Sequence, residues 1–153
     1  MFDGRMPQTL RTIDYNHRAF ISSAESYGVA AFHLAQSGPH LAHPAPIGTL
    51  ACHCMELSLK AVLLKRGAGP EDLRRHGHDL RKLLTASQLP WSDLDTDAVA
   101  FFADALREHA FRYIDMNRYY VLGEGIEALS TCETVFHRCL DVAMPGARRT
   151  LRR

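Results

Sequence analysis

From Pro46 to Arg66 the chain is apolar around most of a helical circumference. Leu50, Cys54, Leu57, Ala61 and Leu64 recur at spacings of three and four, and Ile47, Ala51, Met55 and Val62 widen that stripe. A helix of this kind has to be covered on more than one side, so the rest of the chain is expected to pack around it. Pro46 suits the first turn, where its missing N–H would have no partner anyway. Lys65-Arg66 followed by Gly67 is the expected stop. Glu56 and Lys60 lie inside the same segment, four apart and with Glu first, an order worth ~0.2–0.5 kcal/mol on an exposed helix. On a buried helix the pair is expected to be structural and to orient a partner such as Arg112 or His78. General acid–base work by Glu56 is the chemical alternative.

The remaining apolar residues also follow a helical period. A first helix is expected over about 9–37, with Phe20, Ala24, Tyr27, Ala31 and Leu34 inward and Gly38-Pro39 as its end. Residues 36–46 carry three prolines and read as a loop, and Ala68-Gly69-Pro70 reads as a turn. His78-Asp79-Leu80 opens a short third helix, with Asp79 as N-cap and Leu80, Leu83 and Leu84 inward. Leu89-Pro90-Trp91 breaks it. The Ser/Asp-rich residues 92–97 should cap a fourth helix bearing Val99, Phe102, Leu106, His109 and Tyr113, which frays near Asn117 to Gly125. A fifth helix runs over about 126–144, with Ile126, Leu129, Phe136, Leu140 and Ala143 inward and Pro145-Gly146 after it. No segment alternates apolar and polar residues long enough for a strand. The expected fold is therefore all-α: an antiparallel up-and-down bundle of four long helices and one short one. It forms a single domain over 1–153, with a core of about 9–144 and a basic C-terminal tail, 145–153.

At 153 residues the chain has the length of one domain, large enough to hold a core without a disulfide or a metal. No apolar run of about 18 residues is present, so no membrane span is expected. The first eighteen residues lack the apolar stretch of a cleaved leader, so a cytoplasmic location is expected. In that setting Cys52, Cys54, Cys132 and Cys139 are read as packed thiols. Cys52-His53-Cys54 with His76 and His78 has poor spacing for zinc, since residues two apart on a helix point to opposite sides; no metal and no cofactor are expected. The formal net charge is only +1, but its distribution is uneven. Residues 60–82 hold seven Lys or Arg against three acids, residues 91–108 hold five acids against one Arg, and the last six residues include four Arg. The bland reading is solvated helix faces and a loose tail; the sharper one is a phosphate site for a nucleotide or RNA. There is no phosphate-cradling Gly-rich loop and no Gly-x-Ser-x-Gly turn.

Three stretches, in this order, resemble the HEPN family of small helical bundles. They are Cys54-Met55-Glu56-Leu57-Ser58-Leu59-Lys60-Ala61-Val62-Leu63-Leu64, then His76-Gly77-His78-Asp79-Leu80-Arg81-Lys82-Leu83-Leu84, then Phe111-Arg112-Tyr113 ahead of the last helix. The likeness covers about residues 15–144. It implies a homodimer, contact with RNA or a nucleotide, and a role in toxin–antitoxin or defence systems, often beside a nucleotidyltransferase partner. Active members of the family are metal-independent ribonucleases that carry an Arg, four to six further residues, and a His. Here Arg112 takes the Arg position, but after five intervening residues stands Arg118, which stays protonated and cannot act as a base. His109 precedes Arg112, and the literal Arg-x(5)-His is Arg11 to His17, at the other end of the chain. The resemblance thus implies a binding module in which Arg112, Arg118 and His78 contact nucleic acid or a nucleotide. Two alternatives stand beside it. One is a ribonuclease using Arg112 with His78 or His109. The other is an unrelated helical interaction protein.

Overall fold

The computed structural model describes residues 16–37, 44–107 and 129–153. They form six helices and, among the described residues, no strand: α1 (His17–Gln36), α2 (Pro44–Lys65), α3 (Pro70–His76), α4 (Leu80–Ser87), α5 (Thr96–Arg107) and α6 (Ser130–Ala143). The all-α expectation holds, with one short helix more than expected. Helix α3 starts at Pro70, the last residue of the stretch read as a turn, and fills the residues between that turn and the helix expected to open at His78. At its start Asp72 Oδ2 accepts from the Gly69 N–H at 2.9 Å. Its seven residues, PEDLRRH, contain one buried apolar side chain, Leu73, so they carry no periodicity to read.

Helix α2 is the centre of the fold. It packs against α1, α4, α5 and α6, and Ile47, Ala51, Cys52, Cys54, Met55, Leu59, Ala61, Val62 and Leu63 are all buried. Its most buried line is rotated from the expected stripe: Leu50, Leu57 and Leu64 are only partly covered, while Cys52 and Leu59 are fully enclosed. The helix starts two residues earlier than expected, at Pro44, and ends as read. The Gly67 and Ala68 N–H groups donate back to the Leu64 and Leu63 carbonyls. The segment Ala45–Lys65 does meet the length and composition of a membrane-crossing helix, at a mean hydropathy of 1.4. This corrects the expectation that none would. Two-thirds of that window (67%) is buried by other parts of the chain, as a core helix of this kind has to be.

Helix α1 begins on Asn16, whose Oδ1 accepts from the Ala19 N–H at 2.8 Å. Residues 9–15 of the expected helix lie outside the described residues. Its buried face is Ile21, Ala24, Gly28, Ala31 and Phe32, one position round from the expected stripe. Ala24 and Ala31 are inward as read, but Tyr27 is 37% exposed, against His53. The reason is steric: Ala24, Gly28 and Ala31 let α1 lie close to α2, and larger side chains are turned to the flanks. A Cβ at Gly28 would stand 2.7 Å from Leu151 Cδ2 and 2.9 Å from Cys54 Sγ.

Helices α4 and α5 start on local side-chain caps. Asp79 caps α4 by accepting from the Lys82 N–H at 3.1 Å, and Leu80, Leu83 and Leu84 are buried. Asp95 Oδ1 accepts from the Asp97 and Ala98 N–H groups and opens α5. Leu129, just before α6, and Phe136, Leu140 and Ala143 within it are inward, as expected; Ile126 of the same expected face lies outside the described residues. The tail 145–153 is not a loose arm. Leu151 is fully buried against Gly28. Arg149 reaches Glu25 Oε2 at 2.6 Å, Arg153 pairs with the same carboxylate, and Arg152 makes a bidentate pair with Glu133 at 2.8 and 3.0 Å. The Arg152 guanidinium also sits 5.1 Å from the Phe32 ring centroid. These arginines close the core over α1 and α6 rather than forming a free cationic patch.

Two opposed effects meet at Gly28. Alanine is better than glycine in a helix interior by about 1 kcal/mol, whereas overpacking costs about 1–3 kcal/mol. Urea denaturation should therefore show Gly28→Ala as destabilising, and Leu151→Ala as costing about 3 kcal/mol. The double variant should lose clearly less than the sum, because removing Leu151 makes room for the new methyl. Strict additivity would mean that the two residues do not share the site.

Candidate functional site

Glu56 lies in the middle of buried α2 with its side chain 4% exposed, and an ionised carboxylate there needs partners. It has two. Lys60, one turn on, donates from Nζ to Glu56 Oε1 at 2.6 Å, and His78 Nδ1 lies 3.0 Å from both carboxylate oxygens. The expected Glu56–Lys60 pair and its expected orientation of His78 are thus both present. His78 is brought there by the connector between α3 and α4. Gly77 ends α3 with φ 57, a conformation that admits glycine without a Cβ penalty, and Asp79 then caps α4. The chain therefore turns sharply on either side of the imidazole and delivers it across 22 residues to Glu56.

This contact sets the chemistry of the ring. A carboxylate only accepts, so Nδ1 carries the proton, and in the neutral ring Nε2 is the acceptor. The His78 side chain is 51% exposed and that of Lys60 12%. Both line a cavity of about 250 Å³ together with Phe20, Leu73, Arg74 and Gly77. Arg74 is 71% exposed and pairs with Glu71 at 2.9 Å on the helix surface. The cavity thus joins an oriented imidazole, an ammonium and a guanidinium, a combination suited to an oxyanion such as phosphate.

Of the other residues expected at the site, Arg112, Arg118 and His109 lie outside the described residues. The basic stretch 60–82 is laced with acids instead of being bare. Besides the pairs already given, Arg75 meets Asp72 at 4.0 Å, Lys82 meets Asp79 at 3.7 Å, and Arg81 meets Asp104 at 4.0 Å. Arg66 donates to the Ser87 carbonyl. The four cysteines are buried and free. Cys52 turns to the Phe102 carbonyl, and Cys132 to the Ala51 carbonyl, each at 3.7 Å. Burial pushes the Cys52 and Cys139 thiols up, and hydrogen bonding to Cys54 together with burial does the same for Cys132. Thiols held protonated in this way are poor nucleophiles. Among the described residues no group of three or more His, Cys, Asp or Glu is placed to hold a metal ion. His17, the end of the literal Arg-x(5)-His, starts α1, with burial and the nearby Lys65 and Arg18 charges lowering its pKa.

One node has no counterpart in the sequence reading. Arg138 on α6 makes a bidentate pair with Asp93 at 2.8 and 2.8 Å, donates to the Pro90 carbonyl, and lies 5.0 Å from the Trp91 ring centroid. Its hydrogen bonds hold the Asp93 carboxyl below the usual carboxylate range. Nothing local to Arg138 signals a partner 45 residues away.

Glu56 and His78 should respond differently to truncation. Removing one partner of a buried ion pair strands the other charge, so Glu56→Ala should cost about 3 kcal/mol. In a chain of this size that is a fall in Tm of roughly 6–12 °C. His78→Ala, half-exposed, should cost under about 1 kcal/mol. Equal losses in thermal unfolding would make His78 a structural staple rather than a displayed group. Compared with known proteins, the chain matches no family model, no curated protein and no solved structure.

Proposed function

We propose that this chain is a HEPN-like, antiparallel up-and-down helical bundle that acts as a binding module for RNA, taking a backbone phosphate in the cavity beside His78. The observation that carries the reading is the buried Glu56 carboxylate holding both His78 Nδ1 and Lys60 Nζ at the wall of that cavity. The carboxylate fixes the positions of an ammonium and an imidazole, and Arg74 lines the same cavity as a second cation. A phosphate accepts hydrogen bonds from Lys60 and Arg74, and from His78 Nε2 in the doubly protonated form of the ring. The order Glu-x-x-x-Lys-Ala, His-Asp-Leu, Arg-Tyr supports the family reading. With it come a homodimer, a cytoplasmic toxin–antitoxin or defence setting, no membrane association, and a nucleotidyltransferase as the neighbouring protein. The dimer rests on that resemblance; Tyr27 is the large apolar side chain that stands exposed among the described residues.

The test is a titration of a fluorescent single-stranded RNA at two salt concentrations. Affinity should fall steeply with salt, since each phosphate contact releases counterions. Arg74→Gln should weaken binding and make the salt slope shallower by about 0.7. Absence of binding at low salt would sink the reading.

A second reading, metal-independent endoribonuclease, is favoured by the same Glu56–His78 contact, which gives the ring the tautomer of a general base. His78 Nε2 would take the proton of an RNA 2′-hydroxyl. The oxygen so formed would attack the adjacent phosphorus to give a 2′,3′-cyclic phosphate as the 5′-oxygen leaves with a proton from water, and Lys60 and Arg74 would offset the developing charge. RNA incubated with the native chain in EDTA should then be cut, and His78→Ala should abolish the cutting while leaving the circular dichroism unchanged. Intact RNA after incubation with the native chain would leave the binding module alone.

A further inference from the structure

A second cavity shares no residue with the first. It lies between α4 and α5, measures about 470 Å³, and is lined mainly by Leu84, Leu89, Trp91, Leu94, Val99 and Ala100. Its size falls in the range of about 300–1,000 Å³ typical of small-molecule sites. Its polar lining is sparse: Thr85, Thr96 and one charged side chain, Arg81.

Two features make this more than an uncovered apolar face. The first is that its wall is held in place beforehand. The Trp91 indole N–H is used up inside the fold, on the Leu84 carbonyl and Ser87 Oγ, both at 3.0 Å. Arg138 pins the same loop through Asp93 and the Pro90 carbonyl and lies against the indole ring. A loop tied at three points costs a ligand little ordering entropy. The second is the sign of the charge. Arg81 is 55% exposed and its acid, Asp104, is 4.0 Å away, at the outer limit of an ion pair. Asp104 is held more closely by Arg107, at 3.2 Å. One carboxylate thus serves two guanidiniums, and the Arg81 fork keeps donors for an anion.

We propose that the groove between α4 and α5 binds a small apolar monocarboxylate, its hydrocarbon lying among Leu84, Leu89, Leu94, Trp91 and Val99 and its carboxylate on Arg81. The apolar lining sets the body of the ligand, and the single cation sets its one negative charge. A phosphate-rich polymer would leave most of the groove's apolar surface unmatched, so this site and the RNA reading stand or fall separately.

Trp91 is the only tryptophan in the chain, so its emission reports on the groove directly. Three probes with the same tail, octanoate, 1-octanol and octylammonium, should be titrated against the full chain. Octanoate should give a saturable change in emission at sub-millimolar to low-millimolar concentration. Octanol should bind about tenfold more weakly, having lost the charge-assisted bonds, and octylammonium should give no saturable change. Arg81→Gln should bring octanoate down to the level of octanol and leave octanol unchanged. Ala100→Phe, which fills the groove, should abolish both. Arg81 is on the surface and outside the core, so the charge comparison holds even if Ala100→Phe fails to fold. The proposal is overturned if octanoate gives no saturable signal, if the three probes bind alike, or if Arg81→Gln leaves octanoate affinity intact.

Discussion

The structure depends on burying α2 on more than one side. A helix with so little polar surface is stable only inside a shell, and the other elements serve as that shell: α1 along one flank, α6 along another, α4 and α5 closing the remainder. Hydrophobic burial is non-directional, so by itself it does not say which helix lies where. Small side chains supply the direction. Ala24, Gly28 and Ala31 on α1 and Ala51, Cys54 and Ala61 on α2 allow close approach, and Leu151 from the far end of the chain fills the space that Gly28 leaves.

The same burial creates the candidate site. Glu56 sits on a helix with almost no solvent, and a charge there has to be met or it destabilises the fold. Lys60 meets it from within the helix and His78 meets it from the next connector. A need of the core therefore becomes a property of the surface. The carboxylate that must be satisfied inside orients an imidazole whose side chain is half in water. The groove between α4 and α5 is built on a related plan. Trp91 turns its polar edge into the fold to satisfy the Leu84 carbonyl, and Arg138, reaching from α6, fastens the loop around it. In both places an internal hydrogen-bond requirement leaves a shaped and partly charged cavity outside.

Much of this was legible in the residues. Helix α2, its Gly67 stop, the Asp79 cap, the buried leucines of α4 and the inward face of α6 are local matters of period and capping. The Glu56–Lys60 pair was legible for the same reason, being four apart on one helix, and His78 was one of two named partners for it. What escaped was of two kinds. Helix α3 is too short and too charged to show a period. The rotation of the α1 face, the docked tail, and the Arg138–Asp93–Trp91 node depend on groups far apart in the chain. Tyr27 looked inward because its spacing is right; Gly28 took its place because only the smallest residue lets α1, Cys54 and Leu151 come together.

The amino-acid sequence by itself determined that this chain would be helical, that one helix would be central, and that a carboxylate in it would pair with Lys60 and call for a further partner. Those outcomes follow from periodicity, caps and the cost of a buried charge, all of which act over a few residues. Tertiary structure alone decided which way the helices turn, that Arg149, Arg152 and Arg153 are spent on Glu25 and Glu133, and where the cavities open. Those outcomes depend on the fit of side chains brought together from distant parts of the chain, and the fit exists only once the helices have packed.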